Sequence, residues 1–300
     1  LKDRATEVGI QHAKELGYKI IAAASTGNAA ASLACLSATH KMEVVIFAPS
    51  SSPPAKLTQI LQYGAHLFPV NGSYDDAFDL SMDVVKATGW YLRSTGINPI
   101  LSEGKKTVAL EIAEQLNWEV PDQIFVPVGD GCIIGGVYKG FYDLHQLGWI
   151  DRLPKIVAVQ AEGSSAIVNA LKSGKIKPVN AETVADSISV DLPRDGQKAI
   201  RAVKESHGYG LKMTDGEILA AQHYLAKTTG LFAEPAAAAA FAGLIKSTNE
   251  NKINSDETAA VLITGTGLKD INAAQQIVNI PSPILPDLDS FKNVWSRSHS

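Results

Sequence analysis

Short apolar runs alternate along the chain with turns rich in glycine, serine or proline and with longer segments of helical spacing. An amphipathic helix is predicted over residues 3–16, with Ala5, Val8, His12, Ala13 and Leu16 near one face and Gly17 as its stop. The run IIAAA at 20–24 reads as a buried strand, followed by a Ser25-Thr26-Gly27-Asn28 turn and an alanine-rich helix from residue 29. Strands at 43–48, 66–70 and 90–92 follow, with helices over 56–63 and 75–88 that stop at Gly64 and Gly89.

Residues 93–104 read as irregular, because the residue before a proline is pushed out of helical geometry and Asn98 precedes Pro99. A second series then begins: a helix over 103–117, a strand over 123–128, the loop Gly129-Asp130-Gly131-Cys132 and a helix from about 133. A strand over 155–160 and helices over 166–173 and 197–207 come next. Thr214 and Glu217 then form a capping box that opens a helix running toward residue 229. The alanines at 236–240 predict a helix packed closely on a neighbour, and 259–263 is the last strand. The tail after Ile280 carries no legible motif.

Regular β-α alternation predicts an α/β fold of two three-layer domains with mainly parallel sheets. The expected divisions are a lysine-bearing helix at 1–17, a smaller domain at 18–102 and a larger one at 103–300. Composition narrows the function. A net charge of -4 without lysine or arginine clusters interleaved with aromatics argues against a nucleic-acid partner. No apolar run reaches the roughly 20 residues needed to span a bilayer, and Leu1-Lys2-Asp3-Arg4 forms no signal-peptide core, so a cytoplasmic location is the default. Cys35 and Cys132 lack CxxC spacing and read as reduced thiols, and the seven histidines show no ligand spacing, so no metal is predicted.

Four places carry candidate chemistry. The turn Ser25 to Asn28 offers hydroxyls and free amides at a helix start, a seat for a carboxylate or phosphate, although an ordinary capped helix has the same look. Lys2 stands at the mouth of the first helix, where the positive end of the dipole favours the neutral amine that a nucleophile needs. The loop from Gly129 lets amides approach a phosphate. Its Gly129-x-Gly131-x-x-x-Gly135 spacing loosely imitates a dinucleotide fingerprint, so a nucleotide-binding protein or an inactive binding module stays open. Thr264-Gly265-Thr266-Gly267-Leu268-Lys269-Asp270 places hydroxyls at the end of the last strand.

Taken in order with Pro127-Val128-Gly129-Asp130-Gly131, these pieces resemble the fold type II pyridoxal phosphate enzymes, which are tryptophan synthase beta-like, and within them the threonine synthase family. The resemblance spans nearly the whole chain and implies a further segment upstream of the lysine. It implies pyridoxal 5'-phosphate as cofactor, a small amino-acid substrate and a homodimer. Lys2 would bond the cofactor and then shuttle protons, and Asn28 would meet the ring hydroxyl oxygen. Ser25, Thr26 and Gly27 would hold the substrate carboxylate, Gly129, Asp130, Gly131, Cys132 and Ile133 the cofactor phosphate, and Thr264 the pyridine nitrogen. The expected activity is a lyase acting by elimination and replacement, with O-phosphohomoserine giving threonine. A serine/threonine ammonia-lyase or another β-replacement enzyme is the alternative.

The chain departs from that family at Thr95, Gly96 and Leu101, where an asparagine, a serine and an arginine usually hold the departing phosphate. It departs again at Asp130, usually asparagine, and at Thr266, often histidine.

Overall fold

The computed structural model describes residues 1–298. Helix α1 (Lys2–Glu15) opens the chain and belongs to neither sheet. The first sheet takes β1 (Ile20–Ala24), β2 (Glu43–Pro49), β3 (His66–Val70) and β4 (Tyr91–Leu92). Between them run α2 (Asn28–His40), α3 (Pro54–Gln62) and α4 (Tyr74–Thr88). Helix α5 (Ile100–Gln115) leads into the second sheet. There β5 (Gln123–Pro127), α6 (Cys132–Gln146), β6 (Lys155–Ala161), α7 (Ala166–Ser173), α8 (Gly196–Glu205) and β7 (Gly210–Met213) follow in order. The chain finishes with α9 (Asp215–Thr229), α10 (Pro235–Asn249), β8 (Ala259–Val261), the single turn α11 (Ile271–Ala274) and α12 (Leu288–Ser298).

All strand pairings within these sheets are parallel, in the orders β3-β2-β1-β4 and β7-β6-β5-β8. The two orders share a consequence. Each sheet grows to one side of its first strand and then adds its last strand on the other side, so the chain reverses direction beside β1 and beside β5. In open parallel sheets the crevice beyond the strand ends at such a reversal is where ligands bind. The Ser25–Asn28 turn leaves β1 and the Gly129 loop leaves β5, so each sheet directs one of the two candidate turns to its own reversal point.

The strands read as near-continuous apolar runs because both faces are covered. Ile124, Phe125 and Val126 of β5 are fully buried, as are Val157, Ala158 and Val159 of β6. The small side chains of α10 serve the expected close approach: Ala236 to Ala240 are all buried at the back of the second sheet, in one cluster with Phe125 and Val159 or, for Ala237, beside Ala233.

Three expectations are corrected. The buried face of α1 is Ala5, Thr6, Gly9, Ile10 and Ala13, whereas Leu16 is exposed. Helix α1 is covered from two directions, by α2 where Ser32 donates to Thr6, and by α5 where Leu101 lies against Gly9, so its apolar stripe is displaced. The irregular segment is shorter than expected, since α5 begins at Ile100. Asn98 makes the early start possible by accepting from the Ile100 amide at 3.2 Å while donating to the Leu92 carbonyl at 3.1 Å. The tail after Ile280 holds α12, whose Phe291 and Trp295 rings stack 5.8 Å apart. The Thr214–Glu217 capping box forms as expected, and a second one, Ser73 with Asp76, opens α4.

Helix α1 lies so close to α5 that Gly104 faces the backbone of Arg4 and Ala5; a β-carbon at Gly104 would stand 2.2 Å from the Arg4 carbonyl oxygen. Backbone cannot move aside as a side chain can. Gly104→Ala is therefore expected to cost about 3 kcal/mol in denaturant unfolding. Gly216→Ala, where the added methyl meets nothing within 4 Å, should instead gain about 0.5–1 kcal/mol.

Candidate active site

A cleft of about 1320 Å³ opens between the carboxyl ends of the two sheets. Its walls bring together Lys2, the whole Ser25–Asn28 turn and the loop from Gly129 through Ile133, which are far apart in sequence. A smaller cavity of about 330 Å³ adjoins it and shares Thr26, Gly27, Asn28 and Asp270. Thr264 is not among the residues that line either space. Its carbonyl accepts from the amino-terminal amine at 3.4 Å, which puts it beside the residue that precedes Lys2.

Two of the helix starts at the cleft follow glycines and carry no side-chain cap. Helix α2 begins at Asn28 after Gly27, and α6 begins at Cys132 after Gly131; neither has a side-chain oxygen on its first amides. An uncapped helix start presents bare N–H groups and the positive end of a dipole, which suits an anion. Gly131 makes this possible by adopting φ +93°, and a β-carbon there would lie 2.8 Å from the Asp195 carbonyl oxygen. At Gly27 the added β-carbon would meet nothing within 4 Å, so that side of the turn is open, while the Gly27 amide itself donates to Ser25 Oγ at 3.3 Å.

The charges around this space are unusual for buried positions. Burial holds the Lys2 ammonium below its ordinary value, and the nearby Arg93 guanidinium adds to the depression. Arg93 is 6% exposed and is pulled down to about 10 by the same burial. Lys105 is fully buried and pulled down to about 7, with Lys2 and Arg93 both acting on it. Cys132, the residue that starts α6, has its thiol pushed up to about 12 by burial.

Glu234 is the residue that sequence reasoning missed most plainly. It is 4% exposed and accepts from Asn28 Nδ2 with both oxygens, at 3.0 and 2.9 Å, and from Ser187 at 3.4 Å. Its own amide donates to the Gly265 carbonyl at 3.0 Å. One residue thereby fastens the Ser25–Asn28 turn of the first sheet, through its carboxylate, to the late glycine-threonine turn of the second, through its amide. A glutamate before a proline at a helix start looks like ordinary punctuation, so nothing in the sequence marked it. Asp130 turns out to anchor its own loop, accepting from the Arg194 amide at 3.2 Å through its side chain and from the Asp195 amide at 3.0 Å through its carbonyl. Thr266 caps a short turn by accepting from the Leu268 amide.

The mouth is bridged from both sides. Lys56 pairs with Asp186 at 2.6 Å, and Arg194 pairs with Asp75 at 2.7 Å while its guanidinium carbon sits 3.9 Å from the centre of the Phe78 ring.

A partly buried lysine, two bare helix starts and a cleft larger than a single small ligand needs are the requirements of a phosphorylated aldehyde cofactor plus a substrate. A family model described as pyridoxal-phosphate dependent enzyme matches residues 1–265.

The chain belongs to the pyridoxal-phosphate dependent enzymes.

It is 40% identical over 298 residues to a threonine synthase of Methanocaldococcus jannaschii, an alignment that covers 98% of this chain and 73% of the relative. A threonine synthase of Mycobacterium bovis is 33% identical over 288 residues, covering 95% and 78%. Among solved structures, a fungal L-serine ammonia-lyase from Rhizomucor miehei superposes with a TM-score of 0.79 at 20% identity, covering 92% of this chain and 87% of that one. Threonine deaminase isoform 2 from Solanum lycopersicum gives 0.78 at 21%, covering 92% and 78%. These structures share the two-sheet fold. The chain is a pyridoxal-phosphate-dependent lyase of threonine-synthase type.

The Lys105 position has a measurable signature. Its ammonium loses its proton near pH 7 in the folded protein but only near 10.5 when unfolded, so the unfolded chain binds more protons between those values and stability rises with pH across them. Lys105→Met should reduce the rise in unfolding free energy between pH 7 and 9.5 by up to about 1.4 kcal/mol per pH unit relative to wild type. Parallel slopes in the two proteins would contradict this.

Proposed function

We propose that this chain converts O-phosphohomoserine to threonine with release of inorganic phosphate. The observation that carries the reading is the meeting of Lys2 with both bare helix starts in one cleft, in a chain aligned over nearly its whole length with threonine synthases. A small amino-acid substrate fits the family, and none of the described helices is long and apolar enough to cross a membrane. A homodimer and a cytoplasmic setting are part of the same proposal.

When bound, pyridoxal phosphate supplies the electron sink that lets bonds next to the amino group break. In this reading the amides from Gly129 to Ile133 would hold its phosphate, Asn28 would face its ring hydroxyl oxygen, and Thr264, which lines neither cavity, would have to turn toward the cleft to meet its ring nitrogen. A neutral hydroxyl at that nitrogen keeps the ring a weaker sink than a carboxylate would, which favours elimination and replacement over transamination. Ser25, Thr26 and Gly27 hold the substrate carboxylate and orient the Cα–H bond. Lys2 Nζ takes the Cα proton and later returns a proton to the carbon chain, a task suited to an amine whose ammonium burial has already weakened. Glu234 acts by holding Asn28, through the pair of contacts at 3.0 and 2.9 Å.

One observation favours the ammonia-lyase alternative: Leu101, at a position where the family usually has an arginine, is wholly buried against Gly9 and does not line the cleft. The substrate assay separates the two. Purified protein supplied with pyridoxal phosphate and O-phospho-L-homoserine is expected to yield threonine and inorganic phosphate in equal amounts, with Lys2→Ala slowing turnover by about 10²–10⁴-fold or more. Formation of 2-oxobutanoate from threonine, with no phosphate released from O-phosphohomoserine, would overturn the proposal.

A further inference from the structure

Arg93 and Lys105 are buried cations without carboxylate partners. Among the described residues the Arg93 guanidinium donates only to the Thr6 hydroxyl, at 3.3 Å from Nε and 3.1 Å from Nη2, and Lys105 Nζ only to the Thr95 hydroxyl, at 2.9 Å. Neither joins any ion pair among the described residues; Asp195, the buried acid nearest in influence on Lys105, pairs through Oδ1 with Lys198 at 2.8 Å and reaches neither cation with its buried Oδ2. Asp3, which acts on Arg93, is exposed. Removing a charge from water without a counter-charge is expensive, which is why Lys105 gives up its proton near pH 7; an anion bound beside Arg93 and Lys105 would favour the charged form of both.

Their surroundings say where that anion sits. Arg93 and Thr95 both line the large cleft, with Lys2 on the same wall set, and Lys105 stands behind Thr95. The amides at the start of α6 already provide one anion seat in this cleft. A third seat, besides this one and the Ser25–Asn28 turn, implies a ligand with an anionic group beyond its carboxylate.

We propose that Arg93 and Lys105, the latter acting through Thr95, form the seat for the leaving-group phosphate of the substrate. This rests on the phosphohomoserine reading and explains how a chain with leucine at position 101 keeps a cationic pocket: the positive charge enters from the end of β4 and from the second turn of α5 instead. The guanidinium keeps its charge at any working pH, and Thr95 carries a hydrogen bond from Lys105 toward the cleft.

The test uses holoenzyme, in which the cofactor phosphate seat is filled. Arg93→Met and Lys105→Met should each lower kcat/KM for O-phospho-L-homoserine by about 10- to 100-fold, with Arg93→Lys recovering part of the loss and cofactor Kd staying within about threefold of wild type. Added inorganic phosphate should raise the melting temperature of the wild-type holoenzyme and do so less in both methionine variants. Unchanged kinetics, or cofactor affinity falling in step with kcat/KM, would overturn the proposal, the second result assigning these cations to the cofactor. If Arg93→Met fails to fold, Lys105→Met and Arg93→Lys are read by the same criteria. Should wild type release no phosphate from O-phosphohomoserine, the substrate reading fails by itself; phosphate protection that is present in wild type and lost in the variants still supports an anion seat, and equal or absent protection removes it.

Discussion

The close approach of α1 to α5 is the constraint on which the active site depends. Helix α1 carries Lys2 yet is a strand of neither sheet, so the amine is placed by packing on α2, α5 and the first sheet, where Ile10 and Ala13 meet Ile21 and Ala23 and Arg93 donates to Thr6. Contact with Gly104 brings backbone against backbone, and Leu101 fills the space above Gly9. Ion pairing between Arg4 and Glu111 and a hydrogen bond from Arg4 to Thr107 hold the outer side of the same contact. Close-packed interiors transmit small displacements, so a shift here would move the amine as a rigid body. Helix α5 in turn packs on α6, which starts with the glycine loop. One stack of three helices thus sets the distance between the lysine and the loop.

The sheets supply the other coordinates. Each places its first strand beside a reversal of direction, and each delivers a short polar turn to that point. Glu234 then closes the arrangement by tying the Asn28 amide to a helix of the opposite sheet, while Lys56–Asp186 and Arg194–Asp75 bridge the rim. The first of these contacts is part-buried and made by both carboxylate oxygens. The rim pairs are partly exposed and worth less in stability, since water and salt screen them. The arrangement has a rigid floor and a weaker edge.

Local chemistry made most of the fold legible: the apolar runs, the glycine stops at Gly64 and Gly89 and the Thr214–Glu217 box each act through neighbours within a few residues. The turn motifs could be read for the same reason, because their amides and hydroxyls lie in sequence order. What stayed hidden depends on distant partners. Lys105 reads as a surface lysine of a helix until α6 covers it, and Arg93 as a polar residue after a strand until Thr6 and the cleft enclose it. Leu16 was expected to be buried because its spacing fits a stripe, and only the two-sided cover of α1 explains why it is not. The α12 segment gave no signal because prolines and serines precede it and its apolar face meets no described core cluster.

Cys132 illustrates what the burial of a single atom can protect. An aldehyde accepts attack from sulfur as readily as from nitrogen, and both elements line this cleft. The thiol is held up near 12, so almost none of it is ionised in neutral solution, whereas the amine of Lys2 is moved the opposite way. Desolvation therefore disfavours one competitor and favours the other, with Arg93 acting in the same sense on the amine and Asp195 and Asp130 in the same sense on the thiol.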